Sequence, residues 1–324
     1  MLREQLPAAV PPEAAVRRAE RGVALVLVLW ALALLLVVTA SFVFESRTDT
    51  LVVRNSVSMA RAEAAADAAV RRAVFEVLQP STDPNAWKAD GLERDWAFED
   101  ARLRVGVRDE SAKIDINTAA DALLKGLFAS AGLADEEATR LVEAVLDWRD
   151  ADSLRRANGA EEADYRAAGL AYRPANAPFQ AIEELQLVLG MRPDLFRRLA
   201  PVITVFSRQT GLSTATASRE ALAAIPGIAP EAIDTFLARR AEALAAGQSA
   251  PAFPEAGAYA SPANVQVLAI RAEAELEDGA RFVREAVAIP RAAPKRPITY
   301  LAWREGTFPA EVPAAQTPGE AAPR

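Results

Sequence analysis

The run VALVLVLWALALLLVVTASFVF, Val23 to Phe44, carries no charged residue. At about 1.5 Å per residue a helix of that length spans roughly 33 Å, enough for a bilayer core. A soluble helix keeps a polar face, and this stretch has none. A cleaved secretory signal has a shorter apolar core and a small-x-small cleavage site behind it. Here more helical pattern follows instead. Val53, Val57, Ala60, Ala64 and Ala68 recur at three- and four-residue steps. Val74 and Leu78 resume that stripe after Arg71, and Pro80 stops it. The pattern predicts one helix from Val23 to about Leu78, roughly 85 Å long. Its first half is apolar all round and its second half amphipathic. The stripe suits either the chain's own globular body or a coiled-coil partner.

The period changes at ARLRVGVRD. Ala101, Leu103, Val105 and Val107 alternate with Arg102, Arg104 and Arg108, the mark of a half-buried strand. From Asn117 to about Arg240 the pattern is helical, with Pro and Gly punctuation. Strand signals return in NVQVLAIRAEAELEDGARFVREAVAI and RPITYLAW, with Asp278-Gly279 as a two-residue hairpin signal. The layout predicts one antiparallel sheet of about four strands, near 97–108, 265–277, 280–289 and 297–304. The helical block is inserted after the first strand. Two domains in series would leave that strand unpaired, which is costly.

Within the block, LADEEATRLVEAVLDWRD predicts a helix from Asp135 to about Trp148, with Leu141, Val145 and Trp148 on the core side. Asp147 and Asp150 then fall at its C-terminal end, where the free carbonyls are already partly negative. Carboxylates there need a cation. Arg149, Arg155 and Arg156 could serve, and so could a metal ion held by Asp147, Asp150, Asp152, Glu161 and Asp164. Oxygen donors of this kind select Ca²⁺ over zinc or copper, although the spacing is not that of an EF-hand. Further along, ALAAIPGIAPEAIDTFLARR is shaped like a helix-hairpin-helix. Its turn, Pro226-Gly227-Ile228-Ala229, is followed by Pro230 and Glu231, a poor phosphate seat. INTAADALL is a candidate second copy, with Asn117 or Thr118 as cap and Asp121 as capping-box partner.

Composition narrows the chemistry. There is no histidine and no cysteine, so disulfides, thiolate chemistry and Ser-His-Asp or Cys-His sites are excluded. A formal charge of −7 disfavours a general affinity for nucleic acid. Paired carboxylates could in principle hydrolyse glycosides, but unmetallated acids at this density repel one another. Arg17, Arg18 and Arg21 cluster before the apolar run, which predicts a cytoplasmic N-terminus and a body across the inner membrane.

A short basic leader ending in Gly22, followed at once by the apolar helix, resembles a type IV prepilin leader. That resemblance implies cleavage by a prepilin peptidase after Gly22 and methylation of Val23. Most such chains carry Glu at the fifth mature position. Here it is Leu27, as is characteristic of the minor pseudopilin K family of type II secretion. SAKIDINTA, DWRDADSLRRANGAEEADY and NAPFQAIEELQLVLGM also resemble stretches of that family, while Ser213 and Ala215 in TGLSTATASREAL depart from it.

The resemblance implies an α+β fold: a type IV pilin-like long N-terminal helix packed on an antiparallel sheet, with a large all-α domain inserted between strands. The expected divisions are a leader (1–22), a transmembrane helix (23–44), stem helix and first strand (45–112), inserted all-α domain (113–262), remaining strands (263–305) and a disordered Pro- and Ala-rich tail (306–324). It further implies a non-enzymatic subunit at the tip of the pseudopilus that helps initiate its assembly. The expected partners are other minor pseudopilins, the major pseudopilin filament, the prepilin peptidase and the inner-membrane secretion platform, and no nucleic acid. It implies calcium in the acidic segment, carried over most directly to Asp150, Asp152 and Glu161. The competing readings are a membrane-anchored helix-hairpin-helix protein for DNA binding or uptake, and a bitopic hydrolase.

Overall fold

The computed structural model describes residues 13–79, 86–261, 267–290 and 297–308, with side chains from Ala24 onward. Residues 1–12 of the expected leader and 309–324 of the expected tail lie outside the described residues. So do the side chains of Gly22 and Val23, whose backbone lies on helix α1, Glu13–Leu78. The chain divides into two compact units, up to Ala60 and from Arg61 onward.

The first unit is helical. From Ala24 the helix is long and apolar enough to cross a membrane, with a peak mean hydropathy of 2.8 and none of that window buried. Four of its hydroxyls donate back to the helix: among them Thr39 donates to the Leu35 carbonyl at 2.7 Å and Thr48 to that of Phe44 at 3.0 Å.

The second unit is built on a five-stranded antiparallel sheet: β1 (Asp90–Phe98), β2 (Ala101–Asp109), β5 (Leu268–Leu276), β6 (Arg281–Pro290) and β7 (Ile298–Glu305), in the order β1-β2-β5-β6-β7. The last turns of α1 cover one face. Ala62, Ala66, Ala69, Val70, Ala73 and Val74 pack against Leu103, Val105, Val107, Leu268, Ile270 and Ala272. Small side chains let the helix lie close on the sheet, so the contact is dense without bulky residues.

Three sequence expectations need correction here. The sheet has five strands, because β1 pairs with β2 across a turn at Glu99, which adopts φ 53°. The buried seam of α1 is rotated from the expected one: Ala64 and Leu78 are exposed, and Ala62, Ala65, Ala66 and Ala69 take their place. Two alanine stripes run side by side, and composition does not distinguish them. The β5–β6 loop is four residues, 277–280, rather than two, and is closed by Leu276 N–H donating to Ala280 O at 2.9 Å, with Gly279 at φ 86°. That is a type I turn with a glycine bulge.

The helical region lies between β2 and β5 in the chain, with one contiguous core of its own. A 3₁₀ turn (Glu110–Ala112) leads to β3 (Ile114–Asp115), which pairs in parallel with β4 (Ile203–Thr204). Around this pair stand α2 (Asp121–Ser130), α3 (Asp135–Arg149), α4 (Glu162–Ala167), α5 (Pro193–Leu199), α6 (Arg219–Ala223) and α7 (Pro230–Ala245). Gly126 lets α2 approach the Ala224 carbonyl after α6, where a Cβ would collide. The expected caps of α2 do not form. Asn117 instead exchanges two bonds with Phe179, donating at 2.9 Å and accepting at 2.8 Å, and the Thr118 hydroxyl donates to Gln209 O at 2.6 Å. These side chains tie distant loops together rather than ending a helix.

Candidate metal site

Helix α3 carries Leu141, Val145 and Trp148 into the core. Trp148 stacks on Phe179 and tilts against Tyr165, with centroids 6.0 Å away in each case. This fixes the end of α3 and therefore where its acids stand. Asp147, on the last turn, is fully buried. Asp150 caps the helix in extended conformation, its N–H donating to Leu146 O at 3.0 Å. A loop then folds back. Arg156 N–H donates to Asp147 Oδ2 at 3.2 Å, and the Arg156 guanidinium reaches Asp147 at 3.3 Å and Asp150 at 3.1 Å.

Gly159 makes this return possible. A Cβ there would run into Asp147 Oδ2 and lie 2.7 Å from its Cγ. Asn158 clasps the loop to α3, with its side chain 3.0 Å from Glu143 Oε1. Asp152 Oδ1 accepts from Leu154 N–H at 2.8 Å. Asp164 Oδ2 accepts from Glu161 N–H at 2.9 Å and pairs with Arg155 at 3.1 Å. Arg149 turns away, donating to the Ile116 carbonyl at 2.5 Å. Of the three expected arginines, Arg155 and Arg156 therefore reach the acids.

The arrangement leaves carboxylate oxygens unmatched. Among the described residues Asp150 Oδ1 and Glu161 Oε1 are buried with no hydrogen-bond partner, and so is Asn176 Oδ1; Asn176 donates to the Asp152 carbonyl at 2.6 Å. Burial pushes the Asp147 carboxyl above its usual range, with the Asp150 charge adding to it. Burial and the Asp152 charge do the same to Asp150. Glu161 is raised by burial and then by the charges of Asp147, Asp150 and Asp152. Four of the five candidate ligands thus share one electrostatic neighbourhood, and Asp164 is engaged in capping α4. Among the described residues no three acidic side chains converge as a ready-made metal cage. The donor set still suits a hard cation: all oxygen, with two carboxylate oxygens and one amide oxygen orphaned. Glu143 and Asn176 were not among the sequence candidates. The one signal for Asn176 is its place between two prolines, where it adopts φ 47°.

The helix-hairpin-helix-like segment forms α6, a turn with Gly227 at φ 79°, and α7 with Pro230 in its first turn and Glu231 beside it. Arg219 is committed to Asp234 at 2.7 Å. Ile233 and Phe236 are buried, so the motif serves packing.

Residues 102–208, which run from the second residue of β2 through the acidic loop and α5 to just beyond β4, match the family model described as type II secretion system (T2SS), protein K. Over this region the chain is similar to the type II secretion system protein K family. It is 28% identical over 247 residues to type II secretion system protein K of Pseudomonas aeruginosa, covering 67% of this chain and 73% of that one. With the Pectobacterium carotovorum protein K it is 30% identical over 210 residues, covering 58% and 63%. Its fold is similar to a chain of the crystal structure of the GspK-GspI-GspJ complex from the enterotoxigenic Escherichia coli type 2 secretion system. The TM-score is 0.53 at 18% identity, over 82% of this chain and all of that one. The protein K fold expected from sequence, a long N-terminal helix on an antiparallel sheet with an inserted helical region, is the one observed.

Proposed function

We propose that the chain is a minor pseudopilin: a non-catalytic, single-pass inner-membrane subunit whose body lies in the periplasm and caps the tip of the type II secretion pseudopilus. The observation that carries this reading is the single helix α1, apolar from Ala24 and then seamed by alanines under the sheet. One element can thus serve as anchor, as filament-forming surface and as spine of the body. The bulky helical insertion between β2 and β5 would obstruct further subunits above it, as befits a cap and a starting point for assembly. Leu27 stands where an acid would neutralise the terminal amine of a neighbouring subunit. A subunit with none above it has no such need. The leader reading adds cleavage after Gly22 and methylation of Val23 by a prepilin peptidase.

The similar solved chain comes from a complex with GspI and GspJ. By analogy the partners of this chain are other minor pseudopilins, and through them the major filament and the inner-membrane platform. The acidic loop would hold Ca²⁺ through Asp147, Asp150, Asp152 and Glu161, with Asp164 fixing Glu161 by its cap bond. The ion would supply positive charge to orphaned oxygens, stabilising the loop without doing chemistry. The test is co-expression of the full chain with the two other minor pseudopilins of the same secretion system and purification from detergent. A stoichiometric ternary complex is expected, and a chain that elutes alone would contradict the reading.

A further inference from the structure

Asn158-Gly159 is the one Asn-Gly step in the chain, and the acidic loop is built on it. Packing fixes Gly159, since a Cβ there collides with Asp147. Asn158 is fixed by a double grip on Glu143. Its backbone N–H donates to Oε2, and its side-chain Nδ2 donates to Oε1 at 3.0 Å. The side-chain bond first, and then the backbone one, hold the Glu143 carboxyl below its usual range. A carboxylate therefore faces the Asn158 amide at neutral pH.

The same two residues are chemically labile. The backbone nitrogen that follows an asparagine can attack the side-chain Cγ, and a glycine puts no side chain in the way. The N–Cγ bond forms, the Cγ–Nδ2 bond breaks, and ammonia leaves with the proton of the glycine N–H. Water then opens the five-membered succinimide at one of its two carbonyls, giving aspartate or isoaspartate. Water is the only co-reactant, and Asn158 is exposed to it. In the closed loop both reacting groups are occupied. Nδ2, the leaving group, is held by Glu143, and the Gly159 N–H donates to Arg156 O at 3.2 Å. Nitrogen and Cγ must meet in a near-attack geometry with both groups released, so opening of the clasp comes first.

We propose that Asn158 is a self-modification site, gated by its clasp on Glu143, and that its conversion unfastens the acidic loop. Aspartate puts a carboxylate against Glu143 where the amide donated. Isoaspartate also loses that donor, and it lengthens the main chain by a methylene next to Gly159, where there is no room beside Asp147. Neither product returns to asparagine. The clasp alone sets this gate, whether or not the loop carries an ion.

The test follows the full chain over days at mildly alkaline pH with a chelator present. Peptide mapping by mass spectrometry reads the amide-to-acid conversion at each asparagine. Conversion should concentrate at Asn158, at a rate about tenfold below that of a synthetic 152–166 peptide. Glu143→Ala should bring the chain to within about twofold of the peptide. A chain that converts as fast as the peptide, or a rate that Glu143→Ala leaves unchanged, overturns the gate. The consequence has its own readout in trypsin cleavage after Arg155 and Arg156, within the loop. Asn158→Asp should be cut there about fivefold faster than the unmodified chain, because cleavage follows the open population. Adding Glu143→Gln to Asn158→Asp exchanges donor and acceptor across the clasp and should restore the slower rate. Equal cutting of all three chains, or no rescue by Glu143→Gln, overturns the unfastening.

Discussion

Arg284, on β6, donates from Nε to Asp67 Oδ1 on α1 at 2.7 Å. Its Nη2 reaches Glu63 Oε1 at 2.6 Å, and its guanidinium lies over Trp303. The Arg284 side chain is 8% exposed and that of Asp67 19%, so this is a shielded charge pair at the edge of an otherwise apolar seam. Its geometry sets the rotation of the helix about its axis. Alanines alone would allow neighbouring rotations at little cost.

Arg284→Ala leaves Asp67 facing a partly buried gap. The expected loss is about 2–3 kcal/mol, seen as a lower midpoint in thermal or urea unfolding of the full chain. Arg304→Ala removes the exposed pairs to Glu183 and Glu285 and should cost less than about 1 kcal/mol. Similar losses for both would show that the seam does not depend on the Arg284 pair.

The acidic loop makes an opposite demand. In the ion-free chain Glu161 Oε1 and Asp150 Oδ1 are buried oxygens without a hydrogen-bond partner among the described residues, and the Asp150 pair with Arg156 is partly exposed and worth little, so neutralising these acids should not destabilise. Glu161→Gln and Asp150→Asn are expected to leave ion-free stability unchanged or raised, and to weaken Ca²⁺ binding at least about tenfold in calorimetric titration. Loss of ion-free stability with unchanged calcium affinity would mean that the acids serve arginine pairing alone. Gly159→Ala should damage both, because its Cβ displaces Asp147.

The pH dependence follows from the direction of the shifts. Asp147, Asp150 and Glu161 have folded pKa values above their unfolded ones. Between those values the native state holds more protons, so these groups make the ion-free chain more stable as pH falls toward about 4. Asp115, raised by its own burial and bonded to Arg208 and Asn117 outside the loop, adds the same slope with or without the ion. Bound Ca²⁺ needs the ionised forms. Its stabilisation is therefore full at pH 7 and fades through the same window. At about 100 times the dissociation constant the gain should be near 2.7 kcal/mol at pH 7. The difference in melting temperature between calcium and chelator should shrink toward zero near pH 4. A constant difference would contradict the site.

Much of the fold was legible because its periods are strong. The Ala101–Asp109 alternation, the Asp135–Trp148 helix and the late strands each impose one face on the chain. Strand β1 was missed because it is an edge. Leu92 and Phe98 are exposed, Trp96 lies against Arg72 on α1, and charges fill the rest, as edge strands require. The seam of α1 was misplaced because alanine carries little hydrophobic contrast. In the acidic segment the sequence named the carboxylates. It could not show that Arg149 turns inward to Ile116, or that Asn158 clasps Glu143, since both depend on contacts distant along the chain.

The central claim is that α1 is a pilin-type helix whose mature end is Val23. Intact-mass and N-terminal peptide analysis of the protein extracted from membranes tests it most directly. The account predicts a chain that begins at N-methylated Val23. A chain that retains Met1 and the residues through Gly22 would contradict it.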